Sequence, residues 1–277
     1  MARRPLPTPQ DYANARDQAR KDYNKNPKDP VHHGKLAHAL MGSLLNDWNK
    51  VSKHELQEAE DRAREAISLD HTTAHAYYAL GFIYRLKGDH IAALTAFNEA
   101  SNHDPDLYAL AKAQAANEKV FLGHPNEAIS DVDPLIQHHS KDQSIDVFNW
   151  IKGRAHFSLG QYKKAIGALL SSYKARDNLW FTPAWLVAAY VLDGQVTEAQ
   201  KWIPSSSSPC FRDLNFIKNY YNSDVQSQFQ KSKLGPVLAK LLRALNDAGW
   251  PDPKPKWKRT NKKRGRKRTS KKRGKRR

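Results

Sequence analysis

Apolar and small residues recur three and four positions apart through most of this chain, in segments separated by Gly, Pro and short polar links, which predicts a succession of amphipathic helices. The clearest stretch is 74–105. Tyr77, Leu80, Gly81 and Tyr84 mark one helix, Ala93, Phe97 and Ala100 mark the next, and Pro105 closes the unit. Gly81 and Ala93 are small where two helices must approach, and Tyr77, Leu80, Tyr84 and Phe97 are large enough to fill the space between them, so the unit reads as a helical hairpin built to stack. Before it, Leu36, Leu40, Leu44 and Trp48 share one helix face, and after the polar link NKVSKH a partner helix carries Leu56, Ala59, Ala63, Ala66 and Ile67. After it comes a degenerate unit. Gly123, Ala128 and Val132 keep the spacing of Gly88, Ala93 and Phe97, but Ala115 and Ala116 replace Leu80 and Gly81. A fourth unit holds Gly153, Phe157, Gly160, Tyr162, Ala165 and Leu169; a fifth holds Leu186, Tyr190, Gly194 and Ala199, with Trp180, Trp185 and Trp202 nearby.

Gly88, Gly123, Gly160 and Gly194 are 35, 37 and 34 residues apart. This period and the residues at its fixed offsets resemble the tetratricopeptide repeat. The resemblance implies an all-α, right-handed solenoid of about five hairpins over 31–203. Ahead of the array, in 1–30, Thr8 as N-cap, Pro9 at the first helical position and Asp11 predict a covering helix to about Asn24. Beyond PSSSSP, two closing helices are expected within 204–250. The second is amphipathic through Val237, Leu238, Leu241, Leu242 and Leu245 and is stopped by Gly249 and Pro251. The segments GRAHFSLGQYKKAI, WLVAAYVLDGQVTEA and LLRALNDAGWP further resemble the repeat regions of bacterial class III adenylate cyclase-like and winged-helix regulator proteins. That resemblance implies a sensory or scaffolding role. It does not carry over nucleotide cyclisation, since no cyclase or DNA-binding module stands ahead of the array.

Charge divides the chain. Of 277 residues with a net charge of +18, residues 249–277 contain 16 Lys and Arg against the single acid Asp252, so fifteen of the eighteen charges belong to one tail. Without apolar periodicity, 251–277 is expected to be disordered. Its basic residues Lys262, Lys263, Arg264, Arg266, Lys267, Arg268, Lys271, Lys272, Arg273, Lys275, Arg276 and Arg277 suit nucleic acid or another polyanion, bound through phosphates without reading sequence. Trp257 could stack on single-stranded bases, and an electrostatic contact with phospholipid is a further possibility. A lone cysteine, Cys210, excludes an internal disulfide framework. The absence of a long apolar run or of an apolar segment behind MARRPLPTPQ points to a cytoplasmic chain with no integral membrane association.

No phosphate loop, dinucleotide fingerprint, zinc-protease helix or nucleophile elbow is present in the sequence. The histidine pairs His71/His75, His32/His33 and His138/His139 lack a third ligand, so neither metal nor cofactor is expected. Repeat register instead places His75, Tyr78, Phe82, Arg85, Asn117, Trp150, Arg154 and Phe157 on the inner surface. There, aromatic and arginine side chains would form a groove for a protein or peptide. Phe82, Trp150 and Phe157 equally suit core between repeats. Tyr78 and Phe82 stand where chaperone-tail clamps carry carboxylate-binding residues, so an acidic C-terminal peptide is not the expected ligand. The sequence thus reads as a non-enzymatic scaffold with a polyanion-binding tail, the alternative being a regulatory subunit of a separately encoded cyclase or transcription regulator.

Overall fold

The computed structural model describes residues 9–46, 53–176, 181–205, 212–222 and 232–251. A single helix, α1 (Pro9–Lys25), precedes five hairpins. These are α2 (Pro30–Asn46) with α3 (Lys53–Leu69), α4 (Ala74–Lys87) with α5 (His90–His103), α6 (Pro105–Leu122) with α7 (Pro125–His138), α8 (Ile145–Ser158) with α9 (Tyr162–Ala175), and α10 (Phe181–Leu192) with the short α11 (Val196–Lys201). Among the described residues two further helices follow, α12 (Leu214–Asn222) and α13 (Gly235–Asp247). There is no strand among the described residues, and the architecture is an α-solenoid.

Local chemistry sets the breaks. Gly88 and Gly123 end α4 and α6 in the left-handed conformation, at φ 76° and 90°, which a side chain would strain. Their amides return to the last carbonyls of the preceding helix. The Asp89 side chain accepts from the Ala92 amide, and Asp104 accepts from the Asp106 amide with Pro105 at the first position of α6, so both following helices begin with a satisfied amide.

Within the second hairpin Gly81 lies against the Phe97 ring. A β-carbon there would come to 2.5 Å of that ring, which is fully buried. Gly153 repeats the device in the fourth hairpin, where a β-carbon would meet the Leu169 side chain at 2.6 Å. Gly81→Leu should therefore cost about 1–3 kcal/mol or more by overpacking. Because each hairpin contacts mainly its neighbours, hydrogen exchange should show protection lost in α2–α7 before α8–α10. Uniform loss along the chain would contradict modular stacking.

First helices pack on first helices (α2 on α4, α6 on α8), so they form the inner layer, and α3, α5, α7 and α9 the outer one. The C-terminal segment does more than cover the last hairpin. The Lys233 amide donates to the Phe121 carbonyl at the end of α6 at 2.9 Å, while the body of α13 packs on α10 and its Leu238, Leu241, Ala244 and Leu245 are buried. The residues leading into the helix thus meet the end of α6 in the third hairpin, and the helix itself covers α10 in the fifth. Its far end is tied to α12: the Leu214 amide donates to the Pro251 carbonyl and Trp250 Nε1 to the Arg212 carbonyl, at 2.9 and 2.8 Å. Thr182 to Tyr190 of α10 are consequently buried without interruption.

Candidate functional site

The inner-layer residues are less accessible than repeat register predicts. Tyr78, Arg85, Asn117, Arg154 and Phe157 are buried, and only His75, Phe82 and Trp150 stay half-buried. The predicted exposed groove floor is in these five positions an interior. Neighbouring first helices approach closely enough that a long side chain on one is swallowed by the next instead of pointing into the concavity.

Two polar clusters result. In the first, the Arg85 guanidinium pairs with the Glu118 carboxylate, which is 0% exposed, and donates to Gln114 Oε1 at 2.8 Å. His90 Nδ1 donates to the other oxygen of Glu118 at 2.7 Å, and its ring stacks on Phe121 with centroids 4.4 Å apart. Phe82 and Phe97 stand 4.9 and 5.0 Å from the Arg85 guanidinium carbon, so rings enclose the charge. In the second cluster, Arg154 Nη1 donates to Asn117 Oδ1 at 3.0 Å, and the guanidinium carbon lies 4.3, 5.2 and 5.7 Å from the Phe121, Trp150 and Trp185 rings. Phe157 completes this packing edge-on to Trp185.

Glu118, Gln114, His90 and His38 belong to these inner contacts and were absent from the sequence-derived set. A signal existed: Arg85 and Glu118 are 33 residues apart and Asn117 and Arg154 are 37 apart, each close to one repeat period, the separation at which inner helices bring side chains together. Tyr78 is wedged between His38 and Phe97, at centroid distances of 4.9 and 5.6 Å, and burial raises its phenol pKa. His75 Nδ1 lies 2.9 Å from His38 Nδ1.

What remains partly accessible on the inner layer is His38, His75, Phe82, Leu107 and Leu110 in the first three hairpins and Trp150 in the fourth, with exposed Lys35 at one end. The apolar members rest on the core clusters beneath them. Among the described residues no three His, Cys, Asp or Glu side chains gather in a metal-binding arrangement, and no helix is long and apolar enough to cross a membrane. The predicted polyanion-binding residues from Lys262 to Arg277, with Trp257, lie outside the described residues, as do Thr8, Trp48, Trp180 and Cys210.

No protein-family model and no curated protein matches the chain. Its fold is nevertheless shared with solved tetratricopeptide-repeat solenoids. A tetratricopeptide repeat protein from Parabacteroides merdae superposes with a TM-score of 0.51 at 14% identity, over 87% of this chain and 86% of that one. PilW, a type IV pilus biogenesis factor, gives 0.54 at 16% identity over 76% and 98%. A chain of the Cut9–Hcn1 hetero-tetramer of the APC/C gives 0.60 at 14% identity over 87% of this chain and 48% of the other. At such identities the likeness establishes the repeat fold alone.

Proposed function

We propose that this chain is a non-enzymatic protein-interaction scaffold. In this reading it holds a partly apolar peptide or protein segment against the inner layer of its first three hairpins and binds nucleic acid or another polyanion through residues 252–277. The observation that carries the first half is the contrast along the inner layer: α10 is sheathed by the chain's own α13, whereas His75 and Phe82 on α4 and Leu110 on α6 stay partly accessible. Half-buried aromatic and aliphatic groups on a preorganised helical surface offer contact area at little entropic cost. The carboxylate-clamp mode remains disfavoured, because the buried Arg85 is already neutralised by Glu118. That Cut9 was solved together with Hcn1 is in keeping with partner binding as a use of this fold. The second half rests on charge density: 16 basic residues against one acid in 249–277 exceed what solubility requires.

One experiment tests both halves. The full chain and a chain ending at Pro251 each receive a photo-crosslinker at Phe82 or, as control, at Val196 on the outer helix α11, which is 41% exposed. Protein adducts are expected from position 82 in both chains and not from 196. Nucleic acid should be retained by the full chain alone, with a log–log salt slope of roughly −7 on duplex DNA if about half the basic residues meet phosphates. Equal adducts from both positions would remove the groove. Tight DNA binding by the shortened chain would remove the tail.

A further inference from the structure

We propose that His38 and His75 form an acid-sensitive latch across the seam between the first and second hairpins. The seam is set by close approach. A β-carbon at Gly34 of α2 would fall 2.7 Å from the Thr73 side chain and 3.2 Å from the Ala76 amide, so α2 meets the first turn of α4 with no space to spare. One turn further along α2, that approach delivers His38 Nδ1 to 2.9 Å from His75 Nδ1, and the two rings lie 5.1 Å apart. At this distance one nitrogen must donate and the other accept, so the contact exists only while at least one imidazole is neutral.

Protonation of both rings would set two like charges side by side in a half-buried seam. His75 stands in the first turn of α4, where the helix dipole also disfavours a cation. The remaining groups around the pair do not reverse this. Lys35 on α2 opposes protonation of His75; Asp104 at the α5–α6 junction favours it, but its side chain is engaged with the Asp106 amide. The Tyr78 phenol of α4 is held neutral by burial. Asp22 on α1 and His32 on α2 line the same hollow as Lys35, and His33 on α2 turns to the Pro27 carbonyl. Desolvation first, and His75 second, bring the His38 pKa from 6.5 down to about 4, and desolvation lowers that of His75.

Because both values lie below those of the opened chain, the opened form binds more protons as pH falls below 6.5. The seam's stability is therefore whole above that pH and is lost progressively toward pH 4. Gly34 against Thr73 and Ala76 makes the seam a close backbone contact one turn from the rings, so an opening there is read at the first turn of α4.

Hydrogen exchange of the full chain at pH 7.5 and pH 5, corrected for intrinsic rates, tests this. Protection within 34–41 and 74–81 should fall at least about tenfold at pH 5, as a group that gains a proton only on opening requires. The histidine-free α10 should serve as an unchanged reference. His75→Gln and His38→Gln each leave one desolvated ring and should weaken the local pH effect, and the double variant, which has no imidazole left at the seam, should abolish it. An unchanged seam at pH 5, or a loss that persists undiminished in the double variant, overturns the latch. Imidazole titration by NMR in the unmodified chain gives an independent reading: a His38 ring that titrates near 6.5 overturns it, and one that titrates below 5 supports it.

Discussion

Glu118→Ala should lower stability by about 3–5 kcal/mol, because it leaves the enclosed Arg85 guanidinium and His90 without the carboxylate that answers both. The size follows from the environment. Glu118 has no exposed surface, and Arg85 is walled in by Phe82, Phe97 and Phe121, so water cannot replace the lost partner. Glu118→Gln should cost less, since an amide oxygen still accepts from Arg85 although the charge is gone. Urea titration with the intact helical signal as readout separates the two variants. An alanine variant within about 1 kcal/mol of the parent would mean that the cluster is wetter than its geometry shows. Removing one partner is costly even though the pair itself, weighed against an apolar replacement of equal volume, need not be stabilising.

Trp185→Ala should cost a similar amount, about 3–5 kcal/mol, through transfer and cavity terms together. Trp185 is 1% exposed and touches Phe157 edge-on, with the Arg154 guanidinium 5.7 Å away, in the core that joins α8, α10 and α13. The damage should be regional. Hydrogen exchange should show α8, α10 and α13 losing protection while α2 to α5, whose buried residues form other clusters, keep theirs. Loss confined to α10 would show that α13 does not depend on this seat.

The helix-by-helix layout was legible because it rests on local rules. Period and small-residue placement located the hairpins, and Gly81 against Phe97 and Gly153 against Leu169 are contacts that spacing alone foretells. Pro9 opens α1, and Gly249, at φ 79°, follows α13. What spacing could not supply was depth. Repeat register correctly assigned Tyr78, Arg85, Asn117, Arg154 and Phe157 to first helices, but whether such a position faces open concavity or the next helix depends on the separation and twist of adjacent hairpins, and these sum over many side chains. A polar residue at an inner position therefore reads alike as a ligand contact or as half of a buried pair until its partner one repeat away is brought within reach.

The amphipathic stripe of α13 shows the same division. Leu238, Leu241 and Leu245 announced that one face of the helix must be covered. That it would be covered by α10, with Lys233 just ahead of it tied back to the end of α6, depended on where a returning chain finds matching apolar surface. Local sequence determined the hairpins, their breaks and the stack, because helix period, capping and close approach act over a few residues. The tertiary structure alone decided which inner residues are core and which stay accessible, because burial is a property of the surfaces that meet and not of any one segment.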